Sequence, residues 1–365
     1  MTAHAAVLAV RDLCNQGLAP DVFMPALLET LHELVPSYRN LFDWTDAEGA
    51  LQRYFFEGPI DVGIAQRYFE IFHNSREIEC MPAFASIAEQ PRGVRGAVML
   101  DQPAFYESAL YREIWLPQGL HSRIEGIVRD GAGGLVGSLV LYRGPHDRRF
   151  RVEDERLLGQ VLLYVANGLR LGGGATPEEA LLPSPDPAQT AVVGMDGRLL
   201  YATPGFAGSL LAAQEGLSPA SLNQPLERLL GGVIRLLGAG PAGSPGQSLV
   251  MANARGRWRL VALPLDACRE PAAGSSGALL LTLRRLEPRH VALDRVLRSL
   301  PLTAGQARVA RAVYAGLGQR EIALQLGVAQ ATVVDHVRKI YLRLEVNSAA
   351  ALRALVDRDI DRRSA

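Results

Sequence analysis

The sequence predicts a multidomain chain: two α+β regions followed by an all-α four-helix domain. Three observations lead there. The chain has 365 residues, more than one ordinary hydrophobic core organises, so two or three domains are expected. Runs rich in glycine and proline at residues 172–177 and 183–187 interrupt it where neither helix nor ladder is favoured. Beyond about residue 287 the apolar residues recur at helical spacing only, whereas before it helical and strand-like patterns alternate.

Composition sets the class. With 48% apolar and 21% charged residues, the chain can bury cores and does not read as disordered. The formal net charge of zero favours no partner, but its distribution does. From Leu302 onward there are ten basic and six acidic residues, leaving 28 basic and 32 acidic before it. A basic end on an acidic body is what a nucleic-acid-contacting end requires. Cys14, Cys80 and Cys268 make neither a pair nor a zinc spacing, which predicts a reduced, cytoplasmic chain. The first ten residues lack the basic start of a signal peptide. No apolar run reaches the roughly 20 residues of a spanning helix, so no membrane partner is expected.

The first region covers residues 1–171. Residues 3–15 and 21–34 have helical spacing. Residues 38–43 and 51–57 read as strands joined across residues 46–49, and 61–78 as a further helix. Residues 122–129 and 135–143 form a hairpin across Asp130-Gly131-Ala132-Gly133-Gly134. A long amphipathic helix over 151–171 closes the region. Helices flanking an antiparallel sheet make an α+β domain. The run from Tyr106 to Leu120, and Gly137 to Arg143 leading into Phe150 and Glu153, resemble GAF-like sensor domains of bacterial regulators. The resemblance spans about residues 100–171 and implies a sensing module without naming its ligand. Tyr106, Tyr111, Trp115 and His121 are the candidate pocket residues, with plain core filling as the competing reading. His32, His73, His121 and His146 show no metal-ligand pairing.

Residues 172–188 read as a linker and 189–286 as a second α+β region. Residues 191–203 form two short strands turning at Asp196-Gly197, and a helix is expected from Pro204. Residues 258–264 and 278–284 read as two strands facing each other. This order resembles a PAS domain, with Thr203 where a polar residue commonly precedes the proline. No histidine lies between His146 and His290, so a histidine-ligated haem has no ligand here. Cys268 sits in no flavin-adduct pattern. No cofactor is expected, and a small-molecule signal is left open.

Residues 287–301 read as a connecting helix and 302–365 as the all-α domain. Thr303 and Gln306 have the spacing of a capping box. Ile322, Ala323 and Leu326 form one inward stripe and Val333, Val337, Ile340 and Leu344 the next, with Gly327 able to end the first helix in a left-handed backbone. Two short helices across a tight glycine turn are the plan of a helix-turn-helix. A last helix over 347–356 carries the apolar Leu352, Leu355 and Val356.

The match becomes specific when the residues are taken together. Leu302-Thr303, Ala315-Gly316, Arg320-Glu321-Ile322-Ala323, Leu326-Gly327-Val328, Thr332-Val333, His336, Ile340 and Arg343-Leu344 resemble the LuxR-type (GerE-like) DNA-binding domain over residues 302–356. The resemblance implies a recognition helix over 330–344 with Val334, Asp335 and Arg338 facing base edges. Their chemistry fits, since arginine suits guanine, aspartate suits cytosine and valine suits a thymine methyl. Arg320, Thr332, His336, Lys339 and Arg343 would hold phosphates, and Leu352, Leu355 and Val356 would form the dimer face. Three positions depart from the family's usual pattern. Val334 stands where a basic residue is common, Ala329 where a serine or threonine would cap, and Gly305-Gln306 where Arg-Glu is common.

The implied function is a homodimeric transcription regulator on double-stranded operator DNA, with sensing upstream. A regulator acting through protein contacts alone, an anti-activator that has lost specific DNA binding, is the competing class. No catalytic motif is present: there is no nucleophile elbow and no phosphate loop.

Overall fold

The computed structural model describes residues 3–82, 84–88, 94–95, 102–171, 181–214, 218–223, 225–238, 247–253, 256–265 and 277–364. Cys268 and residues 172–180 of the expected linker lie outside them. The chain divides into two compact units. One comprises residues 10–175 and 186–285, and the other residues 2–9, 176–185 and 286–365.

The first unit is built on two sheets. The end of helix α1 (Ala3–Cys14), from Val10 onward, and α2 (Pro20–Leu34) precede the hairpin β1 (Arg39–Thr45) and β2 (Leu51–Phe56). Then come α3 (Val62–Arg67), α4 (Phe84–Ala88), β3 (Val94–Arg95) and α5 (Pro103–Tyr106), followed by β4 (Ser122–Arg129), β5 (Leu135–Arg143) and α6 (Val152–Leu171). The strands form one sheet in the order β2-β1-β5-β4-β3, antiparallel throughout. Register sorts its faces. Phe42 pairs with Leu139 on the face packed against α2 and α6, while Asp43 pairs with Ser138 and Arg123 with Tyr142 on the other. Strand alternation thus sends Phe42 and Leu139 to one side and Asp43, Ser138 and Arg123 to the opposite side.

The expected helix over 61–78 is broken. It runs as α3, a π-helical turn Tyr68–Phe72 and a 3-10 turn Arg76–Glu79, with Asn74 left-handed at φ 53° between them. Side chains compete with the helical ladder here. The Ser75 hydroxyl donates to the Ile71 carbonyl at 2.8 Å, and the Glu77 carboxylate accepts from the Asn74 N–H at 2.8 Å and from the Tyr68 hydroxyl at 2.8 Å.

One pH effect follows from the end of α2. His32 Nε2 lies 3.0 Å from Glu57 Oε2, and Nδ1 faces the Ser37 carbonyl at 3.0 Å. Burial lowers the imidazole pKa, but the Glu57 hydrogen bond and charge outweigh it, and the result stands above the ordinary 6.5. A raised folded-state value stabilises fully below the unfolded value and is lost as pH rises through the folded one. The stability difference between pH 5.5 and pH 8 should therefore shrink in His32→Gln, measured by urea denaturation at both.

The second sheet holds β7 (Gln189–Gly194), β8 (Leu199–Ala202), β9 (Gln247–Asn253), β10 (Gly256–Leu265) and β11 (Ala278–Pro288) in the order β8-β7-β11-β10-β9. Helices α7 (Phe206–Gln214), α8 (Pro219–Leu222) and α9 (Leu226–Gly238) accompany it. Strand β9 was not anticipated from the sequence. The helix expected at Pro204 begins at Phe206, because Thr203 is held elsewhere. Its hydroxyl accepts from the Thr190 N–H at 3.1 Å and donates to Gln189 Oε1 at 2.7 Å, and the Phe206 N–H closes a turn onto the Thr203 carbonyl. Phe206, Leu210, Leu230, Trp258 and Leu281 share one core with Tyr54 and Ile60 of the first half. Gly208 permits that approach, since a Cβ there would fall 2.8 Å from the Ile60 carbonyl oxygen.

The second unit is helical: α10 (Arg289–Ser299), α11 (Ala304–Tyr314), α12 (Gln319–Leu326), α13 (Gln330–Leu344) and α14 (Ala349–Ser364). Helix α10 contributes Ala292, Leu293, Val296 and Leu297 to the core of α11–α14. Residues 181–183 within the expected linker form a short strand, β6 (Leu181–Pro183), which pairs with Leu286–Pro288. The last helix runs two turns past residue 356. Ile360 extends the buried stripe of Leu352 and Val356 by one further i+4 step, a continuation hidden by Asp357, Asp359 and Asp361 around it. Among the described residues no helix is long and apolar enough to cross a membrane.

Candidate functional site

The C-terminal unit positions an exposed helix by specific local devices. At the start of α11 both halves of the expected capping box form: the Gln306 N–H donates to Thr303 Oγ1 at 3.3 Å, and the Thr303 N–H to Gln306 Oε1 at 3.0 Å. Helix α12 begins with Glu321 accepting from the Gly318 N–H at 2.6 Å. It ends at Gly327, left-handed at φ 64°. There the Val328 N–H reaches the Ala323 carbonyl at 3.1 Å and the Gly327 N–H the Leu324 carbonyl at 3.3 Å. This doubled closure satisfies the orphan carbonyls and turns the chain sharply into α13.

Helix α13 is anchored by one stripe. Val333, Val337, Ile340 and Leu344 are buried, which rotates Val334, Asp335, Arg338 and Lys339 outward. All four are exposed. The helix starts at Ala329 with no side-chain cap, an omission that costs about 1 kcal/mol relative to serine or threonine. Lys339 Nζ meets Asp335 Oδ2 at 2.6 Å one turn away. That hydrogen bond, opposed by desolvation and helped by the Lys339 charge, holds the Asp335 carboxyl below the usual carboxylate range. An exposed pair of this kind is readily exchanged for other partners. Arg338 makes no ion pair or hydrogen bond among the described residues.

The other expected DNA-facing residues are placed unevenly. Arg320 and Thr332 are exposed. His336 is half-buried beside Gly305, with Nδ1 lacking a hydrogen-bond partner among the described residues. Arg343 is exposed yet already engaged, donating to Gln306 Oε1 at 2.8 Å, so it buttresses the α11 cap. The expected dimer face is corrected in part. Leu352 and Val356 are each 0% exposed inside their own core and cannot meet a second copy, while Leu355 is half-buried.

In the first unit the four candidate pocket residues do gather, though not around one cavity. Tyr111 OH lies 2.8 Å from His121 Nδ1, and the Tyr106 ring stacks on His121 at 4.6 Å. Trp115 alone of the four lines a cavity of about 150 Å³ beneath the charged face of the first sheet. Sequence reasoning missed the charged lining: Asp43, Glu77, Arg123 and Glu125. One signal was available. Arg123 and Glu125 stand two residues apart, either side of Ile124, in an otherwise greasy strand, and charge at period two there means a charged inner face.

Residues 300–356 match the family described as "Bacterial regulatory proteins, luxR family". They form a LuxR-family helix-turn-helix domain, as the resemblance over 302–356 implied. No curated protein matches the chain. Several solved structures resemble parts of it. One is a domain of an HTR-like protein from Haloarcula marismortui ATCC 43049, 18% identical over 28% of this chain and 98% of that one, TM-score 0.20. Another is a VqmA–ligand–DNA complex from Vibrio cholera, 14% identical over 48% of this chain and 83% of that one, TM-score 0.23. A third is bacteriophytochrome RpBphP3 from R. palustris, 12% identical over 77% of this chain and 63% of that one, TM-score 0.29. At these scores the likenesses carry no argument about ligand or assembly.

Proposed function

We propose that this chain is a sequence-specific DNA-binding transcription regulator that acts as a dimer, with operator binding controlled by a signal sensed upstream. In this reading residues 1–171 are a GAF-like sensor, 189–286 a PAS-like module beyond the 172–188 linker, and 302–365 the reader that follows a connecting segment over 287–301. The observation that carries the reading is α13: within a LuxR-family domain, one face is buried and the opposite face presents Arg338 without an ion-pair partner. Arg338 reads guanine, Asp335 cytosine and Val334 a thymine methyl. Arg320, Thr332, His336 and Lys339 fix register on phosphates, and Arg343 adds a phosphate contact from its place at the cap. Binding first exchanges the Lys339–Asp335 pair for Lys339–phosphate and Asp335–base contacts. Two copies then present α13 to half-sites about 34 Å apart.

The test is selection of operator sequences by the purified chain, followed by affinity measurement for Arg338→Ala. The variant should lose about 1–3 kcal/mol of affinity for the selected site and relax specificity at one base pair. Its fold should be unchanged, because the side chain is exposed. Equal affinity of variant and wild type would remove Arg338 from the reading. Failure of the wild type to select any sequence would favour the anti-activator reading.

A further inference from the structure

The cavity under the first sheet has a charge problem that a ligand would solve. Three carboxylates, Asp43, Glu77 and Glu125, share it with a single guanidinium, Arg123. Glu77 and Glu125 are each 3% exposed. Glu77 is satisfied by Tyr68 and Asn74, and Arg123 sits 3.4 Å from Glu125. The Asp43 carboxylate makes no hydrogen bond to any described residue, although it lies on the cavity side. Two hydroxyls beside it are likewise unpartnered. Thr45 Oγ1 lines the cavity two residues along the same strand, and Ser138 Oγ, on a residue 0% exposed, stands directly across the ladder from Asp43. His73 does not balance the charge, since burial holds its imidazole below the ordinary value despite nearby Glu77.

A half-buried carboxylate that shares a cavity with two others and accepts no hydrogen bond is costly. For Asp43, burial first and Glu125 second push the carboxyl well above the usual range, against the pull of Arg123. Two ways out exist: Asp43 holds a proton, or a cation occupies the space. A metal ion does not fit, because among the described residues no group of three His, Cys, Asp or Glu side chains is disposed to hold one. An organic ammonium fits on both counts. It supplies the missing positive charge and N–H donors for Asp43 and Thr45. Tyr68, Phe69 and Trp115 also line the cavity, and aromatic rings attract cations and cover an apolar body. A cavity of about 150 Å³ holds a body no larger than about one aromatic ring.

We infer that this cavity binds a small primary amine, its ammonium paired with Asp43 and its apolar body against the aromatic rings. The inference rests on the sensing part of the function proposed above and gives that signal a chemical class.

The experiment uses the full chain and two amines, benzylamine and isopentylamine, against their neutral counterparts benzyl alcohol and isopentanol. Binding is read by calorimetry and by the shift in thermal melting. The amines should bind at least tenfold more tightly than the alcohols. Asp43→Asn, which keeps size and shape, should erase that preference while the alcohols bind as before. Equal binding of amines and alcohols would overturn the inference in favour of an apolar cavity. No binding by any of the four would overturn it in favour of a cavity that holds water only. Operator affinity measured with saturating amine separates the two readings. Amine binding with unchanged operator affinity leaves the cation site standing and removes the signal control proposed above. Operator selection without amine binding does the reverse.

Discussion

Ile340→Ala is expected to destabilise the C-terminal unit by about 2–5 kcal/mol, the cost of removing a fully buried isoleucine and leaving a cavity. Ile340 is 1% exposed at the centre of the α13 stripe, where Val333 at 0% and Val337 at 9% lie on the same side. A loss of this size is a large fraction of the roughly 5–15 kcal/mol that stabilises a folded domain. The variant should therefore lose DNA binding through unfolding. Hydrogen exchange of amides in α11–α14 reads the effect directly. Leu342 is the internal control, because it lies two residues along the same helix and is 78% exposed. Leu342→Ala should stay within about 0.5 kcal/mol of the wild type. If the two substitutions weaken the unit equally, the inward face of α13 has been assigned to the wrong side. The contrast with Arg338→Ala matters as well. On the function proposed above, that change should remove binding energy and leave exchange rates untouched, whereas Ile340→Ala should move both.

Much of the C-terminal helix-turn-helix domain was legible beforehand, because its devices are local. A threonine three residues before a glutamine, a glycine between two apolar stripes and an i, i+4 run each describe a few consecutive residues, and each forms in the structure. The same holds for the hairpin of β4 and β5, where a run of turn residues separates two greasy strands. What escaped was set by long-range pairing. The helix over 61–78 fails because Glu77 reaches back to Tyr68 and Asn74, an interaction that apolar spacing does not register. Leu352 and Val356 looked available for a partner because helical spacing alone cannot say which neighbour covers a stripe. The charged cavity escaped for a related reason. Asp43 comes from one hairpin, Glu77 from a turn, and Arg123 with Glu125 from another strand, so their meeting exists only in the folded sheet. In each case the missing information is which distant segment a side chain faces.

Arg143→Met should destabilise the first unit by about 3–5 kcal/mol, the range for breaking a buried ionic group by removing one partner. The hairpin strand ending at Arg143 was read from the sequence, but not what its last side chain does. Arg143 is 3% exposed. It donates from Nε to the Pro36 carbonyl at 2.7 Å, and from Nη1 to the Arg148 carbonyl at 3.1 Å and to Asp154 Oδ2 at 3.1 Å. Its guanidinium also stacks over the Phe150 ring at 4.0 Å. One side chain thus ties the end of β5 to the segment between α2 and β1, to the loop after β5 and to the first turn of α6. Methionine keeps much of the volume and loses every one of those bonds, stranding two carbonyls and a carboxylate. Asp154 is the partner to vary alongside it, since it also accepts from the Arg151 N–H at 2.9 Å and so anchors the start of α6 independently. A double-mutant cycle of Arg143→Met with Asp154→Asn, followed by urea denaturation, isolates the ion pair from the carbonyl contacts. A coupling energy near zero with a large Arg143→Met loss would assign the effect to the two carbonyls. A loss below about 1 kcal/mol in Arg143→Met would mean that the three segments are held by apolar packing alone, because an exposed or dispensable arginine shows losses of that size.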